Sequence, residues 1–228
     1  KQILENAKNK IGQYYPSGKD GKPVVVYLWA RTAPCSNPSC RGEIPLLRSL
    51  IICDKKDKKV ALTMDIDKHT KKIKFGIAKG KNIEKTEGTA ISRGVKCPFC
   101  DQITSSENIK AVSFEKKLDE VLLTAIIDAP KGKDYRAIEE TDIINFSEIK
   151  EKIKPENIPT ELMPDSPDFV SGRGWNYKTW DSIFNTRQLL VMSTFIECLH
   201  EILDKIKDEV GAEDYRKAIG LYLGLWIG

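Results

Sequence analysis

The sequence predicts an α+β fold, an antiparallel β region followed by a helical region, on three observations. Residues 24 to 96 carry a succession of β-branched and alternating runs separated by charged turns. Two short cysteine-bearing loops flank most of that stretch. Beyond a proline-containing acidic connector, the apolar residues switch to helical spacing. The organisation implied is an N-terminal helix and turn over 1–22, a β-rich region with a basic insert over 23–138, a connector over 139–174 and a helical region over 175–228.

The elements follow in order. "KQILENAKNKIGQYYP" spaces Ile3, Leu4, Ala7 and Ile11 as one face of a helix that halts at Gly12 and Pro16. "SGKDGKP" is a turn. "VVVYLWARTAP", "IPLLRSLIIC", "KVALTMDID" and "KKIKFGIAKG" then read as strands of an antiparallel meander. In "SSENIKAVSFEKKLDEVL", Ser113 is placed to cap a helix running through Leu118 and Val121. "LLTAIIDAPKGKDYRAI" is a strand with a Lys-Gly turn, and "TDIINFSEIKEKI" a further helix. Pro155, Pro159, Pro164 and Pro167 make residues 154 to 174 an extended surface linker. The strongest helix follows: Asn185 with Gln188 forms a capping-box-like start, and Leu189, Met192, Ile196, Leu199, Leu203 and Ile206 form its apolar face. A last helix runs from about Ala212 to the end, and its apolar stripe requires something to pack on.

Bulk composition excludes several classes. With 228 residues, 40% hydrophobic and 31% charged, the chain is long enough for a core. Its longest apolar runs fall far short of the roughly 18 to 20 residues that cross a bilayer, and no signal peptide opens it, so a cytoplasmic protein without a membrane partner is expected. Six cysteines, clustered in a chain of this length, suit reduced thiols or metal ligands better than a secreted disulfide scaffold. The net charge of +4 is mild but uneven: residues 54 to 96 hold thirteen Lys/Arg against six Asp/Glu, and residues 139 to 170 hold three against nine.

The chemistry-bearing motif is a pair of cysteine knuckles, "APCSNPSC" with Cys35 and Cys40, and "VKCPFC" with Cys97 and Cys100. Short Cys-turn-Cys loops each supply two thiolates, and four thiolates satisfy tetrahedral zinc at about 2.3 Å. Both knuckles flank strands, so the β region is predicted to be zinc-ribbon-like. A redox dithiol or two unrelated thiol pairs are the alternatives; "GVKCPFCDQ" lacks the helix that follows a thioredoxin-type dithiol. A zinc held by four cysteines keeps no open position, so its expected role is structural. Cys53 and Cys198 read as small core residues, His69 as a solvated turn residue, and His200 as a surface partner of Glu197 and Glu201.

A second candidate is a duplex-DNA surface. Lys58, Lys71 and Lys72 lie among the hairpin lysines, and Arg31, Arg41, Arg48 and Arg93 lie nearer the knuckles; such a face would track phosphates. A third is the aromatic stretch "SGRGWNYKTWDSIFNTRQLL", read as a plug at a helix start in preference to a ligand loop. Neither a phosphate-binding Gly-rich loop, nor Gly-x-Ser-x-Gly, nor His-Glu-x-x-His occurs, and no catalytic residue is assigned.

The ordered set "IGQYYP", "YLWARTAPCSNPSC" followed by "EIPLLRSL", "GTAISRGVKCPFC" and "WDSIFNTRQLL" resembles the central part of the adenine-specific DNA methylases that contain a zinc ribbon. The resemblance implies zinc ligation by Cys35, Cys40, Cys97 and Cys100. It also implies an excerpt lying between an S-adenosylmethionine motif and an Asp-Pro-Pro-Tyr catalytic motif, neither of which is in the chain; "MPDSPDF" has Ser166 where a proline is needed and carries no tyrosine. The region between those motifs commonly recognises the DNA target, so duplex DNA and the rest of the methyltransferase chain are the implied partners. The cofactor S-adenosylmethionine would bind only the full-length enzyme. Arg41 after Cys40 and Asp101 after Cys100 depart from the glycine of the family's knuckles.

Overall fold

The computed structural model describes residues 1–81, 83, 87–116, 118–130, 132–143, 146–164, 175–210 and 213–227. It is a mixed α/β structure with antiparallel sheets, and the chain divides into two compact units. One comprises Ser17–Ile143 with Gly174–Asn176; the other comprises Lys1–Pro16, Ile144–Arg173 and Tyr177–Gly228.

The β unit is organised by β1 (Val24–Pro34), an eleven-residue strand of β-branched and aromatic residues. Its first part pairs antiparallel with β9 (Glu120–Ala129), from Val24 opposite Ile127 to Arg31 opposite Glu120. Its last three residues pair instead with β2 (Glu43–Pro45), so β1 passes from one partner to the next and delivers the chain to Cys35. β10 (Gly132–Arg136) adds to the far side of β9, giving the order β10-β9-β1-β2.

A second sheet is the meander β3 (Ile51–Lys55), β4 (Lys58–Asp67) and β5 (Lys72–Gly80). Its period-two pattern places Val60, Leu62, Met64 and Ile66 opposite Lys79, Ile77, Phe75 and Ile73, and Leu62 and Phe75 enter a core with Ala30, Leu47, Leu50 and Leu123. A third sheet, β6 (Ala90–Ile91), β7 (Gly94–Lys96) and β8 (Ile103–Ser105), precedes α2 (Ser106–Glu115).

The predicted meander is therefore right for β3 to β5 only. "IPLLRSLIIC" is two strands belonging to different sheets, β2 and β3, because the 46–50 segment between them breaks the ladder. Ser113 does not cap a helix either. Ser105 does, its hydroxyl accepting from the Asn108 amide at 3.2 Å, while Ser113 lies inside α2 and donates back to the Lys110 carbonyl. The helix stops at Glu115, and Val121 belongs to β9.

The helical unit contains α1 (Gln2–Ile11), α3 (Phe146–Lys152), α4 (Thr186–Val210) and α5 (Glu213–Ile227). The start of α4 is the capping box expected from Asn185 and Gln188: the Gln188 amide donates to Asn185 Oδ1 at 2.8 Å and the Asn185 amide to Gln188 Oε1 at 2.9 Å. Its most buried line is displaced from the expected one and runs through Leu190, Ser193, Thr194, Cys198 and Leu199. The displacement follows from packing on several sides, with Ile3 and Ala7 of α1 against Cys198 and Leu199, and Ile11, Tyr14 and Ile149 against Leu190. Residues 155 to 164 are more than a bare linker. They form a 3-10 turn at Pro155–Asn157, bury Met163 and bridge Leu162 to Thr179, while the remainder of the predicted linker, 165–174, lies outside the described residues. Among the described residues no helix is long and apolar enough to cross a membrane.

Candidate metal centre and nucleic-acid interface

Each cysteine pair sits in the loop of a hairpin. The first loop joins β1 to β2, and Cys35 donates its amide to the Gly42 carbonyl at 2.9 Å, closing the loop on itself. The second joins β7 to β8, closed by the Cys97 amide on the Gln102 carbonyl at 2.9 Å. Within the loops, the amides of Cys40 and Arg41 both reach the Asn37 carbonyl at 3.0 Å, and the Asp101 amide reaches the Cys97 carbonyl at 2.9 Å. Arg41 and Asp101 adopt left-handed backbone, with φ of 48° and 62°. Both positions follow the second cysteine of a pair, where a glycine is the unstrained choice.

The loops bring all four sulfurs within 4.8 Å of one another. Cys35 Sγ lies 3.6 Å from Cys100 Sγ, and Cys40 Sγ lies 3.8 Å from Cys97 Sγ. Neither separation is a disulfide, whose sulfurs stand at about 2.05 Å. Both match the edge of about 3.8 Å of a tetrahedron with about 2.3 Å ligand bonds. Cys97 is fully buried, Cys35 and Cys40 nearly so, and Cys100 is half-exposed. Burial pushes the Cys97 thiol up to about 12, although the Phe99 and Cys100 amides donate to it. Burial likewise raises Cys35. At Cys100 the Gln102 amide has the largest influence and draws the thiol down to about 7. Four convergent thiols, with backbone amides aimed at the sulfurs of Cys35, Cys97 and Cys100, form a donor set suited to a soft divalent ion, and the spacing fits it.

Around the sulfurs, Ala33, Ile44, Val95, Phe99, Ile109 and Leu118 form one hydrophobic cluster. Thr104 ties the two loops from behind, its hydroxyl accepting from the Ser36 amide at 3.0 Å. Sequence patterning did not single out Thr104 or Phe99; a threonine next to Ile103 in a three-residue strand carries no signal by itself.

The predicted DNA-contacting residues fare unequally. Arg31 pairs with Glu120 across the β1–β9 ladder, and Lys58 pairs with Asp134 at 3.6 Å and donates to the Lys133 carbonyl. Arg41, Arg48, Lys72 and Arg93 are exposed, and Lys71 is half-buried with its ammonium 5.9 Å from the Phe99 ring centroid. No protein-family model, no curated protein and no solved structure matches this chain.

The other cysteines and the histidines stand outside the cluster. Cys198 is fully buried in the helical unit, and Cys53 is half-buried with its sulfur 3.6 Å from the Lys58 carbonyl. His69 and His200 are exposed, and the carboxylates flanking His200 are engaged by lysines: Glu197 by Lys10 and Lys154, Glu201 by Lys10. Sequence reading also missed the most buried ion pair of the β unit. Arg136 holds Asp142 through two bonds of 2.6 and 2.9 Å, and the Tyr27 hydroxyl adds a third at 2.7 Å.

Proposed function

We propose that this chain is the zinc-stabilised, DNA-contacting target-recognition part of an adenine-specific DNA methyltransferase and carries no catalytic residue of its own. The observation that carries the reading is the four-thiol cluster held on two hairpin loops, which supports a zinc-ribbon-like β region. Cys35, Cys40, Cys97 and Cys100 would hold the ion, and with four thiolates bound the ion supplies a structural cross-link without an open position for chemistry. The order of the quoted motifs along the chain supports the methyltransferase assignment, and the excess of lysine and arginine over residues 54 to 96 supports contact with duplex DNA. S-adenosylmethionine and the catalytic motif would belong to the rest of the enzyme, where a target adenine is flipped out of the helix for methylation.

Titration of duplex DNA at two salt concentrations tests the reading. Recognition predicts affinity that falls steeply as salt rises, because neutralised phosphates release counterions. Absence of binding at either salt would favour a second reading, a module bracing the methyltransferase core. That reading draws on the cations Arg31, Lys58 and Lys79, which are engaged by Glu120 and Asp134 within the unit.

A further inference from the structure

The basic character of residues 54 to 96 is not spread evenly over the folded β unit. On the β3–β5 sheet lysines are met by carboxylates: Lys59 pairs with Asp54 at 3.5 Å, and Lys58 and Lys79 pair with Asp134 at 3.6 and 2.8 Å. In the ladder itself Lys74 stands opposite Asp65 and Lys72 opposite Asp67. Five of the six strand lysines of this sheet thus have a carboxylate beside or opposite them, and the sixth, Lys55, stands opposite Lys58.

The turns beside the cysteine loops differ. Lys71, in the turn between β4 and β5, places its ammonium 5.9 Å from the Phe99 ring centroid. Gly42, next to Arg41, packs its Cα against the same ring. Lys68 of the same turn and Lys96 at the end of β7 share one carboxylate, Asp101, at 3.9 and 3.0 Å. Asp67 is turned onto the amides of His69 and Thr70 at 2.9 and 3.1 Å, and Glu43 accepts from the Thr32 hydroxyl. Phe99 and Asp101 thus link the three turns, Lys71 and Gly42 meeting at the ring and Lys68 and Lys96 at the carboxylate.

The backbone adds an independent observation. Arg41, Lys71 and Asp101 are three of the four non-glycine residues with positive φ among the described residues, at 48°, 55° and 62°. Long side chains rarely adopt this region, and glycine or asparagine would make the same turns without strain. Arg41 and Lys71 carry long charged side chains at such positions, whereas Asp101 is a short residue that tolerates them.

We propose that these three turn tips, at residues 40–42, 68–72 and 96–101, form the surface on which the unit receives the phosphate backbone of duplex DNA. The inference rests on the DNA-contacting reading above and moves the contact from the lysine-rich sheet to the metal-centre end. Arg41, Lys68, Lys71 and Lys96 supply the positive charge, and Asp101 limits it by engaging two of the four. Charge complementarity singles out a polyanion as the occupant.

Fluorescence anisotropy of the zinc-loaded 228-residue chain with a duplex oligonucleotide, at about 50 and about 200 mM salt, tests it. Arg41→Gly and Lys71→Asn are each expected to weaken binding and to lower the slope of log affinity against log salt by about 1. Their melting temperatures should hold or rise, because glycine and asparagine suit a positive φ. Asp101→Asn should tighten binding several-fold with zinc content unchanged, as expected when two lysines lose their internal acid. Lys59→Ala and Lys74→Ala should leave the slope unaltered. Wild-type binding that survives both tip substitutions but falls in the sheet variants overturns the inference and leaves the DNA reading standing. A wild type that binds no duplex DNA, or binds RNA alone, overturns both.

Discussion

Gly42 and Phe99 interlock across the two cysteine loops. A β-carbon at Gly42 would run into Cδ2 and Cε2 of the Phe99 ring, which is itself 4% exposed. The first loop can therefore approach the second closely enough for its cysteines to face Cys97 and Cys100. This contact, from one loop's backbone to the other's aromatic ring, sets the separation of the sulfur pairs.

Gly42→Ala should accordingly cost about 1 to 3 kcal/mol, the usual penalty of overpacking a filled site. Its signature is joint: zinc affinity, followed by competition with a chromophoric chelator, should fall together with the melting temperature. An alanine variant with unchanged zinc affinity would show that the loops adjust independently.

One zinc per chain is expected by elemental analysis, and none in Cys97→Ser, since the fully buried Cys97 is the least replaceable of the four. Chelation of the wild type should loosen the β unit, reported by new amide exchange in β7 and β8, while α4 keeps its protection. A metal-free wild type with full protection in those strands would remove the clamp from the account.

Asp142 is 1% exposed, and although desolvation acts to raise its carboxyl pKa, the Arg136 guanidinium, the Glu139 amide and the Tyr27 hydroxyl together hold it below its ordinary 3.8. A carboxyl whose folded value is depressed contributes stability that is complete above its unfolded value and lost as pH falls through the folded one. Acid titration of stability should thus show a loss beginning near pH 4 and continuing below it, absent in Asp142→Ala. That variant should also lose about 1 to 3 kcal/mol at neutral pH, because Arg136 gives up its two bonds to Asp142 and keeps Glu139 at 4.0 Å. Urea denaturation at pH 7 and pH 3 measures both effects.

Asn185→Ala should destabilise the helical unit by about 1 kcal/mol by leaving the Gln188 amide of α4 without its acceptor. Asn185→Ser should recover most of that loss. Equal stability of all three proteins by circular dichroism would mean that tertiary packing alone fixes the start of α4.

The sequence made local features legible where a single residue decides geometry. The Asn185–Gln188 box, the strands β1, β4 and β5, and the two cysteine loops all announce themselves through spacing or periodicity within a short window. Partnership between distant strands does not. Nothing in "VVVYLWARTAP" states that its first part pairs with a strand near residue 125 and its last three residues with one near residue 44, because neither the nearly continuous apolar run of β9 nor the three-residue β2 specifies a register by alternation. Ser113, expected to cap a helix, and Ser105, the cap of α2, are chemically identical, and only the fold shows that Ser113 lies buried inside the helix. Charge behaved in the same way: the lysine count over residues 54 to 96 was visible, whereas the carboxylates that offset it come from as far away as Asp134.

The two halves of the candidate metal centre are separated in time as well as in sequence. Cys40 and Cys97 are 57 residues apart, and Cys35 and Cys100 are 65 apart. At a translation rate of about 5 to 20 residues per second, the first loop would leave the ribosome about 3 to 11 seconds before the second. The β3–β4–β5 meander lies wholly inside that interval and among the described residues its strands pair with one another, so its ladder can form while the first thiols wait for their partners, with the core contact to Leu123 following later. Metal capture by all four ligands would then close the loop from Cys35 to Cys100, inside the longer one that the β1–β9 pairing closes, and metal supply during synthesis would govern how long half a site stands open.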